Sequence, residues 1–228
     1  MKFKSPVYSQ ASGSIAGITY SHNRGGMYTR RRATPTNPNS PAQQAVRTAM
    51  ANLVTNWTVN LTASNRNVWN AYANNTPVVN RLGDPILLTG QQMFLRSNIP
   101  RVQEGFDYVA SGPTVDNLGL LSPISFNSGS STTALQIDFD NSDVWAAVDG
   151  GYLFIQVSRG QNPSKNFFKG PFRSCDPLAG DTVTPPSSPY TVTGAPFSWS
   201  TGQRVFLRAR ASTYDGRLTT AQIIYIDL

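Results

Sequence analysis

The chain is predicted to fold as an α+β protein, mostly β, in three parts. These are an N-terminal β-hairpin arm (residues 1–34), a Pro-rich linker with a small layer of two to three short helices (35–111), and a C-terminal antiparallel β-sandwich (112–228). Three observations predict this division. Positive charge sits in the first half: residues 1–110 hold eleven Lys/Arg against three acids, net +8, while residues 111–228 hold eight against nine, net −1. Apolar residues follow helical spacing only from about position 41 to 95. After about residue 112 they alternate, in runs separated by Gly, Ser, Pro and Asp clusters.

The arm is read from Ile15, Ile18 and Tyr20, a turn at His22-Asn-Arg-Gly-Gly26, and a return strand from Met27. Asn followed by two glycines gives positive φ at little steric cost. Gly13 and Gly17 then loosen the first strand or admit another backbone closely. Thr34-Pro-Thr-Asn-Pro-Asn-Ser-Pro41 is a stiff, extended connector. It ends in a helix start, with Ser40 as cap, Pro41 at the first helical position and Gln43 completing a capping box. Ala42, Ala45, Val46, Ala49, Met50, Leu53, Val54 and Trp57 lie on one helical stripe. A second helix is predicted from Thr62 to about Ala73, and a third, shorter one after Thr89, where Thr89-Gly-Gln-Gln92 repeats the capping pattern.

The second half alternates over Leu135–Phe139, Tyr152–Val157, Arg204–Arg210 and Ile223–Asp227, the last two joined by a loop containing Asp215-Gly216. About seven strands in such a length suit an immunoglobulin-like or fibronectin type III-like sandwich. The lone cysteine, Cys175, excludes the disulfide of the antibody version.

Composition narrows the function. Charged residues make up only 14% of the chain, which argues against a charged disordered segment. The opening residues carry no apolar run, so no secretory signal is expected, and no stretch approaches a membrane span. Fifteen Arg against four Lys suit contact surfaces, because the guanidinium fork tolerates partial burial. No catalytic, cofactor-binding or metal-binding residues are expected. His22 reads as a turn residue, with no third group to complete a pair with Cys175. Asp138 and Asp140 read as the solvent face of a strand and not as Ca²⁺ ligands. Gly25-Gly26 lacks the Lys-Ser/Thr of a phosphate loop. Trp145 and Trp199 read as core, with a sugar-stacking role as the alternative.

The residues expected to carry function are therefore contact residues. Arg24, Arg30, Arg31 and Arg32, with Tyr20 and Tyr28, form a basic arm for an acidic partner. Charges of this kind also keep an edge strand from pairing wrongly. Val46, Leu53, Trp57 and Trp69 form a helical hub.

The run Gly17-x-x-Tyr-Ser-x-Asn-Arg-Gly-Gly-x-Tyr-x-Arg30, then Pro35-Thr-Asn-Pro38, Gln43-Gln44-Ala-Val-Arg47 and Trp69-Asn-Ala71 resembles a group of proteins from the structural regions of tailed bacteriophages and prophages. The resemblance covers about residues 13–75 and implies a virion component. The expectation is a non-enzymatic structural subunit of a phage-like particle, assembling as a homo-oligomer and with other virion proteins through its arm and helices, without membrane, cofactor or small-molecule substrate. The alternatives are a nucleic-acid-binding protein using the basic segment, including packaged nucleic acid as the arm's partner, and a carbohydrate-binding or adhesion module.

Overall fold

The computed structural model describes residues 10–23, 26–80 and 83–228. The chain divides into two compact units, Met1–Pro41 and Ala42–Leu228. It is a mixed α and β protein, with three α-helices and several antiparallel sheets among the described residues, and strand elements predominate.

The first unit is a three-stranded antiparallel meander, β1 (Gly13–Ile15), β2 (Ile18–Asn23) and β3 (Gly26–Arg31). The hairpin expected from sequence thus gains a strand. Ala16 and Gly17 both hold positive φ, 45° and 83°, and Ile15 pairs with Ile18. This is a two-residue turn with both central residues left-handed, the geometry whose twist matches the strands it joins. Gly17 therefore closes a turn and does not loosen a strand. His22 pairs with Met27 inside the ladder, so it too is not a turn residue. Arg24 and Gly25 lie outside the described residues.

The second unit opens on α1 (Pro41–Thr55), which starts at the predicted proline. A π-helical turn over Asn56–Asn60 ends it, closed by the Leu61 N–H donating to Asn56 O at 2.8 Å. α2 (Ala63–Asn75) begins at Thr62, whose hydroxyl accepts from the Asn65 N–H at 3.2 Å. A two-stranded ladder, β4 (Val78–Val79) with β5 (Pro85–Ile86), leads to α3 (Gly90–Gln103). The capping box at Thr89 forms in both directions, at 3.3 Å and 3.0 Å. α3 is longer than predicted, running to Gln103 with Pro100 inside it.

Two further sheets follow. β6 (Ser125–Phe126), β7 (Gln136–Asp138) and β11 (Tyr190–Thr191) form one, in the order β11-β7-β6. The other is five-stranded: β8 (Tyr152–Val157), β9 (Arg173–Ser174), β10 (Leu178–Ala179), β12 (Arg204–Ser212) and β13 (Gln222–Asp227). β9 and β10 follow one another along one edge of β8, β12 takes its other edge, and β13 pairs with β12.

One apolar cluster draws from both sheets: Ile137 from the smaller, Leu153, Ile155 and Val157 from β8, and Val205, Leu207, Ala209 and Ala211 from β12. Trp145 and Trp199 belong to it, so both tryptophans are core residues with no ring face open to a sugar. The alternate residues of β8 and β12 (Tyr152, Phe154, Gln156, Arg204, Phe206, Arg208, Arg210) necessarily face the other way. Part of that outer face is roofed by α3 and the segment after it. The Arg96 guanidinium donates to Leu218 O at 2.9 Å, and Phe106 stacks on Tyr152 with ring centres 3.9 Å apart. A second cluster, Leu53, Leu61, Trp69, Tyr72, Ala73, Val78, Met93, Phe94 and Leu95, lies among the helices.

Candidate functional site

Pairing register decides what the arm presents. Residues opposite one another in an antiparallel ladder share a face. Ile15, Ile18, Tyr20, His22, Met27, Thr29 and Arg31 therefore lie on one side, and Ser14, Thr19, Ser21, Tyr28 and Arg30 on the other. The first face carries Ile15, Ile18, Tyr20 and Met27 among polar side chains, yet no described residue from 10 to 40 is buried. Ile15 is 71% exposed and Ile18 43%. Tyr20 and Tyr28 are half-buried, while Arg30, Arg31 and Arg32 are exposed. The Arg32 N–H donates to Gly17 O at 2.7 Å, extending the ladder by one residue. Tyr20 and Tyr28 thus fall on opposite faces, as do Arg30 and Arg31.

Among the helices, Leu53 and Trp69 are fully buried and Trp57 packs against the same cluster, its ring centre 5.5 Å from that of Phe94. Val46 lies outside that cluster. It is half exposed, as is Met50 one turn later, and only Ala49 and Leu53 of α1 are buried. The apolar stripe read from the sequence therefore reaches the core only at its C-terminal end.

The acids of the second half serve turns. Asp143 is buried and accepts from the Ser122 N–H and hydroxyl, both at 2.8 Å. Asp138 accepts from the Asn127 amide, and Asp140 from Ser142, whose hydrogen bonds hold it below the usual carboxylate range. No group of three or more His, Cys, Asp or Glu is placed to hold a metal ion among the described residues. No described helix is long and apolar enough to cross a membrane.

Cys175 is buried in the sheet cluster, and burial, with help from Asp176 and Glu104, pushes its thiol up to about 12. Burial also pushes Tyr72 up to about 12, with its hydroxyl donating to Asn117 O at 2.7 Å. Both groups are acids that the fold keeps protonated. Above the ordinary values of 9.0 and 10.0 the unfolded chain releases these protons while the folded chain keeps them. Stability is therefore at its plateau below about pH 9 and falls as pH rises towards 12, by about 1.4 kcal/mol per pH unit per group. Urea unfolding from pH 7 to 11 is expected to show this loss, and Cys175→Ala with Tyr72→Phe should flatten it. A pH-independent midpoint in the parent protein would contradict the burial argument.

A cluster that sequence reasoning missed lies between α3 and the outer face of the five-stranded sheet. Arg96, Ile99, Pro100 and Glu104 from the helical side meet Phe154, Arg208 and Arg210 from the sheet around a cavity of about 270 Å³. Arg208 and Arg210 are two apart on β12 and so share a face, opposite Gln156 and Phe154 of β8. Arg208 gives its Nε–H to Gln156 Oε1 at 2.8 Å and a terminal N–H to the same oxygen. Arg210 Nε is buried and makes no hydrogen bond among the described residues. Burial lowers the pKa of all three arginines, and for Arg210 the charges of Arg208 and Arg96 lower it further. None of the three pairs with a described carboxylate.

Two arginines that are more deeply buried, Arg101 of α3 and Arg204 of β12, are satisfied. Arg101 donates to Asp107 O, Gly150 O and Ser212 Oγ, each at 3.1 Å, and its guanidinium lies 4.8 Å from the Tyr152 ring centre. Arg204 makes a two-pronged pair with Asp227 at 2.6 Å and 2.7 Å and lies over Tyr225. The clue in the sequence was Arg204-Val-Phe-Leu-Arg-Ala-Arg210, arginines at alternate positions of an otherwise apolar strand. Comparison of the chain with protein-family models, with curated proteins and with solved structures gives no match.

Proposed function

We propose that the chain is a non-enzymatic structural subunit of a phage-like virion, one that assembles with copies of itself through its N-terminal arm and the exposed start of α1. The supporting observation is the arm itself. Its described strands form an antiparallel meander with Ile15, Ile18, Tyr20 and Met27 on one face, and no described residue of it is buried. Three short strands without a buried face do not hold together on their own in water. Strand addition or face-to-face packing by another subunit supplies what is missing, with main-chain hydrogen bonds for affinity and alternating side chains for register. Val46 and Met50, exposed near the start of α1, offer a second apolar surface of their own. The sheets of the second unit, sharing one core, suit an immunoglobulin-like or fibronectin type III-like spacer or displayed domain. The motifs over residues 13–75 that resemble phage structural proteins point the same way.

Removing residues 1–40 is expected to leave Ala42–Leu228 folded, since its two apolar clusters lie wholly within that span. It should also reduce the assembly to a lower-order species in size exclusion and negative-stain microscopy. An unchanged assembly would sink the reading. The exposed Arg30, Arg31 and Arg32 favour nucleic acid as the second reading. Salt separates the two: phosphate contacts lose affinity steeply between low and moderate salt, whereas assembly through backbone pairing persists.

A further inference from the structure

We propose that the cavity between α3 and the outer face of the five-stranded sheet is a binding site for a small phosphate monoester. Three guanidiniums converge there and one carboxylate, Glu104, lines the same cavity, leaving a local excess of two positive charges. A buried charge without a partner is costly unless something compensates it. Here the compensation is incomplete in two respects. Arg210 Nε–H has no acceptor, and Arg208 spends two donors on one amide oxygen. Arg101 of α3 and Arg204 of β12 show what full satisfaction looks like. A phosphate monoester supplies what is lacking: about two negative charges near neutral pH and three acceptor oxygens. Guanidinium forks match such oxyanions in geometry. A monocarboxylate would supply half the charge. Phe154, Ile99 and Pro100 form an apolar wall beside the arginines, suited to the organic part of an ester. The volume of about 270 Å³ restricts that part to a small group. The site is independent of the arm, so its fate does not decide the assembly reading.

The test is thermal unfolding of the full chain in inorganic phosphate, in phenyl phosphate, and in chloride at matched ionic strength. Phosphate at tenfold its dissociation constant is expected to raise Tm by about 4 °C over chloride. Phenyl phosphate should bind more tightly than inorganic phosphate because the ring meets Phe154. Equal affinities would overturn the ester assignment. Arg210→Met should abolish the phosphate-dependent shift and raise Tm in chloride, because a half-buried charge whose sealed Nε–H has no acceptor has gone. A chain with Arg30, Arg31 and Arg32 all changed to Ser should keep the shift. Absence of a phosphate-specific shift in the parent protein, or an equal shift in Arg210→Met, would overturn the proposal. NMR of the arginine Nε–H resonances of the parent protein gives a check that needs no variant. The Arg210 signal should move on titration with inorganic phosphate, and a stationary signal would refute the site.

Discussion

Trp69→Ala will lower the unfolding free energy of the second unit by about 4 kcal/mol, the range expected when a buried indole is cut back to a methyl group. Trp69 is fully buried at the meeting point of several segments. Its Nε1–H donates to Ala110 O at 3.0 Å, and its ring meets Phe94 and Tyr72 edge-on at 5.5 Å and 6.0 Å. Two glycines fit against it. A Cβ on Gly112 would come within 3.0 Å of Trp69, and one on Gly216, whose φ is 91°, within 3.2 Å. Helix, connecting segment and hairpin turn therefore share this one side chain. The substitution removes ring contacts on every side and leaves the Ala110 carbonyl without its donor. Trp69→Phe should recover part of the loss but not the hydrogen bond. Urea unfolding followed by circular dichroism measures both, and a cost below about 1 kcal/mol for Trp69→Ala would show that the site collapses freely.

Arg101→Met will cost about 3 kcal/mol, because it strips donors from one buried and two part-buried acceptors at once. The guanidinium ties the end of α3 to Gly150 O and to Ser212 at the end of β12, and covers Tyr152. Lysine cannot replace it, since one ammonium does not reproduce a planar fork aimed in several directions. Arg210→Met, on the outer face of β12, is expected to act with the opposite sign. Arg101 is buried and Arg210 half-buried with its Nε sealed from water, and they differ in whether those donors find acceptors. A double measurement in one urea series checks the contrast. Equal destabilisation by both substitutions would remove the distinction between a satisfied and an unsatisfied guanidinium.

Local signals were legible and long-range ones were not. The starts of α1, α2 and α3 were readable because capping is written in adjacent residues: Pro41, Thr62 and the Thr89–Gln92 box. β8, β12 and β13 were readable because each alternates over at least six residues. The extra strand of the arm was hidden because alanine at position 16 gives no sign of positive φ. The two-residue strands β4, β5, β6, β9, β10 and β11 carry no periodicity to read. α3 was read from its cap and from Met93, Phe94 and Leu95, and no residue beyond them signals that it runs on to Gln103. The candidate contact residues of the arm came from charge and turn chemistry alone. The cavity arginines could not be found that way. Arg96 lies more than a hundred residues from Arg208, and only the docking of α3 on the sheet turns an alternating strand into a half-buried cationic wall. The charge split of the sequence also concealed it, since Arg208 and Arg210 belong to the half that is close to neutral overall.

Burial of Cys175 has a practical consequence. The chain has this one thiol, sealed among the sheet residues and kept protonated at neutral pH. Maleimide dyes and bifunctional reagents should leave the native protein untouched. A cysteine engineered at an exposed position such as Ile15 or Val46 then becomes a unique handle, and spectroscopic rulers or covalent tethers placed there would report which surfaces come together between neighbouring copies.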